Sequence, residues 1–188
     1  AMGSVRLDGA DVFKWDRAEL GPHIGYLPQD IELFDGTISE NIARFGEISS
    51  EQIVAAARMA GVHEMILRLP EGYDTIIGAQ GGALAGGQRQ RIGLARAVHG
   101  NPRVVILDEP NSNLDDSGEA ALRAALQELK GNGTTVVVIT HRPNILFGVD
   151  KILVMKDGQA ADFGPAEAIM RKYQQQPVQQ RVTEGGAG

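Results

Sequence analysis

The chain has 188 residues, 43% of them hydrophobic, and a formal net charge of −6. That length suits one domain with a sizeable core, divisible into lobes, and argues against two independent domains. The lack of cysteine excludes disulfides and thiolate metal sites, the acidic balance argues against a general nucleic-acid surface, and no apolar run approaches membrane-spanning length. With no secretory leader pattern either, the expectation is a chain of soluble, cytosolic character.

Val5 and Leu7 alternate with Arg6 and Asp8 before Gly9, which predicts a half-buried strand and a turn. A helical turn around Asp16–Leu20 is stopped by Gly21-Pro22. Ile24-Gly25-Tyr26-Leu27 reads as a second short strand, broken by Pro28, so that Gln29 stands where the chain leaves a strand end. Taken alone, Gln29 reads as an ordinary loop amide. Thr37-Ile38-Ser39-Glu40 has the form of a capping box and predicts a helix running to Phe45 and ending at Gly46. Ser49-Ser50-Glu51-Gln52 repeats the signal, and Ile53, Ala56, Ala57 and Ala60 then share one helical face before Gly61. A third helix is expected from Val62 to Leu69, where His63 reads as a structural histidine. Three helices in succession interrupt an α/β rhythm and imply an inserted helical lobe.

A glycine-dense loop from Gly78 to Gln88 precedes a helical pattern carrying Ile92, Ala95 and Val98. Gly86-Gly87 therefore falls at a helix N-terminus, where backbone N–H groups and the helix dipole favour an anion, although such a pair equally marks a tight turn. Val104-Val105-Ile106-Leu107 predicts a fully buried strand delivering Asp108 and Glu109 to the strand's C-terminal end, where α/β proteins bind ligands. Neither carboxylate is expected to be spent on an ion pair there. Asp116 and Glu119 are placed to cap the next helix, with Leu122, Leu126 and Leu129 on its apolar face. Gly133–Thr140 predicts a second fully buried strand, which brings His141 to the edge carrying Asp108 and Glu109 if the two strands are parallel. Lys151–Phe163, turning at Asp157-Gly158, predicts a hairpin, and Pro165 is expected to open a closing helix to about Tyr173. The Gln- and Gly-rich remainder predicts a loose tail.

In this order the pieces resemble the nucleotide-binding domain of ATP-binding-cassette exporters. Tyr26–Asp30 is similar to the Q-loop, Leu84-Ala85-Gly86-Gly87-Gln88 to the signature sequence, and Val104–Glu109 to the Walker B strand. Ser112-Asn113-Leu114-Asp115 is similar to the D-loop and His141 to the switch histidine. Leu33–Ile42 resembles the exporter segment facing the coupling helices of the transmembrane domain. Asn111-Ser112-Asn113 and Thr140-His141-Arg142-Pro143 look most like bacterial type I secretion ATPases that export proteases and related proteins.

The resemblance implies an α/β, P-loop NTPase-like (RecA-like) lobe, truncated at its N-terminus, with an inserted α-helical lobe. Its parts are residues 1–33 of the ATPase lobe, a helical lobe over 34–99, a C-terminal α/β lobe over 100–173 and a tail over 174–188. It implies ATP and Mg²⁺ as cofactors, with Asp108 holding Mg²⁺ through water and Glu109 activating the attacking water. His141 and Gln29 would reach the γ-phosphate region and the metal's water network. Ala85, Gly86, Gly87 and Gln88 would face the ATP of a second, identical domain, and Asp115 would couple the two sites. The implied partners are that second domain, a transmembrane domain, a membrane fusion protein and an outer-membrane channel, at the cytoplasmic face of the bacterial inner membrane. No nucleic acid is expected as a partner.

Two departures matter. No Gly-x-x-x-x-Gly-Lys-[Ser/Thr] loop occurs, so most of the phosphate grip is absent from these residues, and the adenine-stacking aromatic is missing too. The chain is expected to begin just after the Walker A helix of a longer transporter and, by itself, to turn over little ATP. Ala85 stands where the signature usually has Ser, and Ala79 where many exporters carry Glu. The competing readings are a non-catalytic interaction module and a DNA-associated ATPase of the same superfamily.

Overall fold

The computed structural model describes residues 3–78, 84–146 and 148–174. The Gly78–Gln88 loop is therefore described only at its ends, and Ala79 and the expected tail beyond Gln174 lie outside the described residues. The chain divides into two units between Ile145 and Leu146.

The first unit opens with a small hairpin, β1 (Arg6–Leu7) against β2 (Ala10–Asp11). Its turn places Asp8 and Gly9 at φ +48° and +83°, the double left-handed conformation that an Asp-Gly pair accommodates. Asp16 caps α1 (Arg17–Leu20), accepting from the Ala18 N–H at 2.7 Å. Strand β3 (Ile24–Leu27) follows.

The expected capping box forms. Thr37 Oγ1 accepts from the Glu40 N–H at 3.1 Å and Glu40 Oε2 accepts from the Thr37 N–H at 2.7 Å, starting α2 (Ile38–Ile42). The helix stops short of the expected Phe45 because Arg44 and Phe45 both turn to φ +56°, which sends the Arg44 side chain into a set of backbone carbonyls. Buried Asn41 binds the Phe34 peptide on both sides, donating to its carbonyl and accepting from its N–H at 2.9 Å. Helix α3 (Ser50–Met59) buries Ile53, Ala56 and Ala57, and Gly61, at φ +65°, ends that run. Helix α4 (His63–Leu67) follows, and His63 Nδ1 pairs with the Tyr73 hydroxyl at 2.8 Å, a structural role. Two-residue strands β4 (Gly36–Thr37) and β5 (Ile76–Ile77) pair antiparallel and tie the beginning of the helical segment to its end.

Helix α5 (Gly86–Val98), strand β6 (Val104–Asp108), helix α6 (Asp116–Gly131) and strand β7 (Thr135–Ile139) complete this unit. The sheet order is β3-β6-β7, all parallel, so all three strands end on one edge. One sheet face carries Gly25, Leu27, Val105 and Leu107, all buried, with Val136 and Val138 packed against the same core as Ile92 and Leu122. Each fully buried Leu or Ile there contributes about 1.5–3 kcal/mol. The other face is bare: Tyr26, Val137 and Ile139 stand 53%, 45% and 50% exposed. Strand β7 was expected to be buried on both faces, but its residues alternate between exposed and half-buried. Val137 and Ile139 on its outer face are about half exposed, and among the described residues it pairs on one side only.

The second unit is the expected hairpin, β8 (Lys151–Lys156) with β9 (Gln159–Pro165), followed by α7 (Ala166–Gln174). Its turn repeats the first, with Asp157 at φ +50° and Gly158 at φ +75°. Pro165 ends the strand and does not open the helix.

Candidate active site

Parallel pairing sets the site. Leu27 aligns with Leu107 and Leu107 with Val138, so Asp108 ends its strand, and Gln29, Glu109 and His141 follow theirs, on the same edge. Asp108 is half-buried at the last position of β6, and by strand alternation it shares the open face with Val104 and Ile106. Gln29 is exposed beyond β3 and has no hydrogen bond among those described.

Glu109 leaves the strand abruptly. Its φ of +46° is a left-handed conformation that costs a non-glycine residue about 1–3 kcal/mol, so its surroundings must hold it there. The Glu109 N–H donates to the Ile139 carbonyl at 2.8 Å, continuing the β6–β7 ladder by one residue. The Glu109 carboxylate turns to the end of β7, where Oε1 accepts from the His141 N–H at 2.9 Å and meets His141 Nδ1 at 2.7 Å. Thr140 Oγ1 adds a weaker contact to Oε2 at 3.4 Å. The expectation of unpaired carboxylates is therefore overturned for Glu109. Adjacent parallel strands stop at matching heights, which puts a carboxylate and an imidazole within hydrogen-bonding reach. The Glu109 side chain is mostly buried while that of His141 is largely exposed, so the pair has a protected end and a solvent-facing end.

The glycine pair lies at the start of α5, as expected, with Ala85 at the cap. Gln88 Oε1 accepts from the Ala85 N–H at 2.9 Å, which is half of a capping box; alanine has no hydroxyl to complete it. Gly87 is required by a close approach, since a Cβ there would stand 2.7 Å from the Asn113 carbonyl oxygen. The signature-like helix and the D-loop-like turn thus touch backbone to backbone within this chain. Asp115, and not the expected pair of Asp116 and Glu119, caps α6, accepting from the Gly118 N–H at 2.8 Å and from Ser117 Oγ at 3.0 Å. These hydrogen bonds, the Gly118 N–H first, hold the Asp115 carboxyl below the usual carboxylate range.

Two residues that the pattern reading passed over tie elements together, Gln90 at the site and Arg44 at the far end of α5. Gln90, only 2% exposed, lies inside the apolar stripe of α5, four residues before buried Leu94. Its side chain joins the Glu109 carbonyl, Ser112 and the Asn113 N–H. A lone amide in a helix's buried stripe was the available signal. Arg44 is the other, and nothing in its local sequence marked it.

The sequence profile of the ABC transporter family matches residues 1–112. The chain belongs to the ABC transporter family. Over 169 residues it is 56% identical to the type I secretion system ATP-binding protein PrsD of Rhizobium meliloti (strain 1021), covering 89% of this chain and 29% of that protein. It is 44% identical over 170 residues to the cyclolysin secretion/processing ATP-binding protein CyaB of Bordetella pertussis, covering 89% of this chain and 24% of that protein. Among solved structures, a bacterial Atm1-family ABC exporter with ATP bound superposes with a TM-score of 0.83 at 33% identity, over 91% of this chain and 30% of that one. The chain spans less than a third of the length of these relatives.

The residues of this ABC transporter chain suit a nucleotide in part. The carboxylates at the end of β6 and the N-terminus of the 13-residue α5 suit a hydrated divalent cation and an anion, respectively. The phosphate-cradling loop itself is absent from the 188 residues.

Proposed function

We propose that this chain is part of the nucleotide-binding domain of an ABC exporter that drives type I protein secretion by hydrolysing ATP. The observation carrying the reading is the convergence of Glu109 and His141, 2.7 Å apart at the edge where β3 and β6 also end. The 56% identity to a type I secretion system ATP-binding protein supports the choice of transport class.

Mg-ATP, when bound, supplies the transferable phosphoryl group and the metal's charge. Asp108 would hold the metal, and Glu109 would orient the attacking water and take its proton. His141 fixes the Glu109 carboxylate through two donors, its backbone N–H and its ring, and the exposed side of its imidazole would be available to the γ-phosphate. Gln29, exposed beyond β3, would reach the metal's water network. Ala85, Gly86, Gly87 and Gln88 would face the ATP held by a second copy of the domain, and Asp115, at the start of α6, would couple the two sites. The bare sheet face around Tyr26 and Val137 and the unpaired edge of β7 support a longer polypeptide that supplies the phosphate loop, its strand and its helix.

The surface at Phe34 and Phe45 meets the transmembrane domain. Both rings are about half exposed, packed edge to face at 6.0 Å, with the Arg96 guanidinium 5.5 Å from the Phe34 centroid. The setting is the cytoplasmic face of the bacterial inner membrane, with a membrane fusion protein and an outer-membrane channel completing the export path. Among the described residues no helix is long and apolar enough to cross a membrane.

The test is Glu109→Gln in the full-length transporter. The substitution keeps shape and removes the base, so kcat should fall by about 100-fold or more while nucleotide binding persists. Turnover at the native rate would refute the assignment.

A further inference from the structure

Gln90 is placed to do what only a neutral amide of its length can do. One end of its side chain accepts, with Oε1 receiving the Asn113 N–H at 2.9 Å and Ser112 Oγ at 3.4 Å. The other end donates, with Nε2 reaching the Glu109 carbonyl at 3.1 Å and Ser112 Oγ at 3.3 Å. An ionised carboxylate there would only accept, a lysine would only donate, and a methionine would donate nothing and accept only weakly. The peptide that Gln90 grips belongs to Glu109, the residue held at φ +46°. The loop that it grips is the one whose Asn113 carbonyl lies against Gly87, one turn back along the same helix.

The geometry points to Gln90 as a positioning residue for hydrolysis: its amide carries the placement of helix α5 to the Glu109 peptide and the Ser112–Asn113 turn. This rests on the reading of Glu109 as the residue that activates water. Helix α5 is a continuous rod from the glycine pair to Val98, so a displacement at its N-terminus moves Gln90 with it. Through one side chain, engagement of the glycine pair is transmitted to the backbone that aims the carboxylate. Gln90 touches no reacting atom; it sets the angle from which Glu109 acts.

The test uses Gln90→Met and Gln90→Glu in the full-length transporter, measuring kcat and KM for Mg-ATP between pH 6 and pH 8.5. Both variants should lower kcat by about 10- to 100-fold, the scale of a misaimed catalytic group, with KM within about threefold of native. Gln90→Glu adds a signature that lost packing does not produce. Protonated, its carboxyl again both donates and accepts, so the ratio of its kcat to the native kcat should rise as pH falls. Native kcat in either variant, or a ratio that stays flat with pH while KM and kcat change together, overturns the proposal. If the Met variant does not assemble, the isosteric Glu variant carries the decision. Glu109→Gln measured alongside separates the two readings: native turnover there removes the catalytic assignment itself, whereas a loss there with native kcat in the Gln90 variants removes only the positioning role.

Discussion

At the scale of single residues, the site is organised by where hydrogen-bonding capacity has been used and where it is missing. Glu109 is fully occupied: its N–H, its carbonyl and its carboxylate each have partners, on β7, on Gln90 and on His141. That over-determination is what keeps a glutamate in a left-handed conformation. Ala85 is the opposite case. Gln88 reaches back to its N–H, but Ala85 returns nothing to the Gln88 N–H, which turns instead to the Ala85 carbonyl at 3.0 Å. Ala85→Ser would complete the box, and a cap of this kind contributes about 1 kcal/mol. The expected outcome is a thermal midpoint higher by roughly 2–4 °C. An unchanged midpoint would mean that a hydroxyl at residue 85 does not reach the helix.

At the scale of elements, the strand that leads to Gln29 and the helix that begins at the glycine pair pack closely through one glycine on each. A Cβ on Gly25 of β3 would stand 1.9 Å from the Ala97 carbonyl oxygen of α5, and one on Gly93 would stand 2.9 Å from Leu27 Cδ1. The two glycines face one another's elements, which lets the backbone of β3 rest directly on α5. Gly25→Ala has no room to relax, since the obstructing atom is main chain. It should destabilise the protein by about 3 kcal/mol or more. Urea titration would register this as a lower midpoint with an unchanged slope. A loss below about 1 kcal/mol would contradict the close packing.

For the first unit as a whole, the widest-reaching tie is Arg44. All five of its N–H donors are used, on the carbonyls of Arg96, Gly21, Ile24, Ala97 and His99, which spread over the approach to β3 and the end of α5. One cation thus closes the C-terminal end of α5 and binds the helical segment to the sheet. His99 lies under this arrangement with its Nε2 buried and without a partner among the described residues. Burial first, and the Arg44 charge second, depress its imidazole below the ordinary value of about 6.5. A depressed histidine binds its proton more readily when unfolded. Its contribution to stability is therefore present above about pH 6.5 and is lost as pH falls through the folded value. Glu40 and Asp115 are also depressed, by hydrogen bonds from Thr37 and from Gly118, so their contributions are present above about pH 4 and lost below it. Thermal midpoints should fall in two stages on acidification. His99→Gln should remove part of the first stage, so that the native-minus-variant difference declines below about pH 6.5. A difference that is flat from pH 8 to pH 5 would contradict the burial of a neutral His99.

The local signals were legible because they are local. The capping box at Thr37, Asp-Gly turns, the spacing of Ile53, Ala56 and Ala57, and the branched run before Asp108 each depend on a few neighbouring residues and the period of one element. The motifs that placed the chain in its family are short and contiguous for the same reason. Tertiary structure decided what depends on two elements meeting. The hydrogen-bonded pair of Glu109 and His141 required β6 and β7 to end level, and the open face of β7 depended on what packs beside it. The early end of α2 was set by carbonyls of distant residues that attract Arg44, and the site's most connected side chain is an amide that its own helix would place among apolar neighbours. Helix and strand periods follow from backbone geometry over a few residues, whereas a hydrogen bond across 19 or 53 positions exists only once the chain has folded.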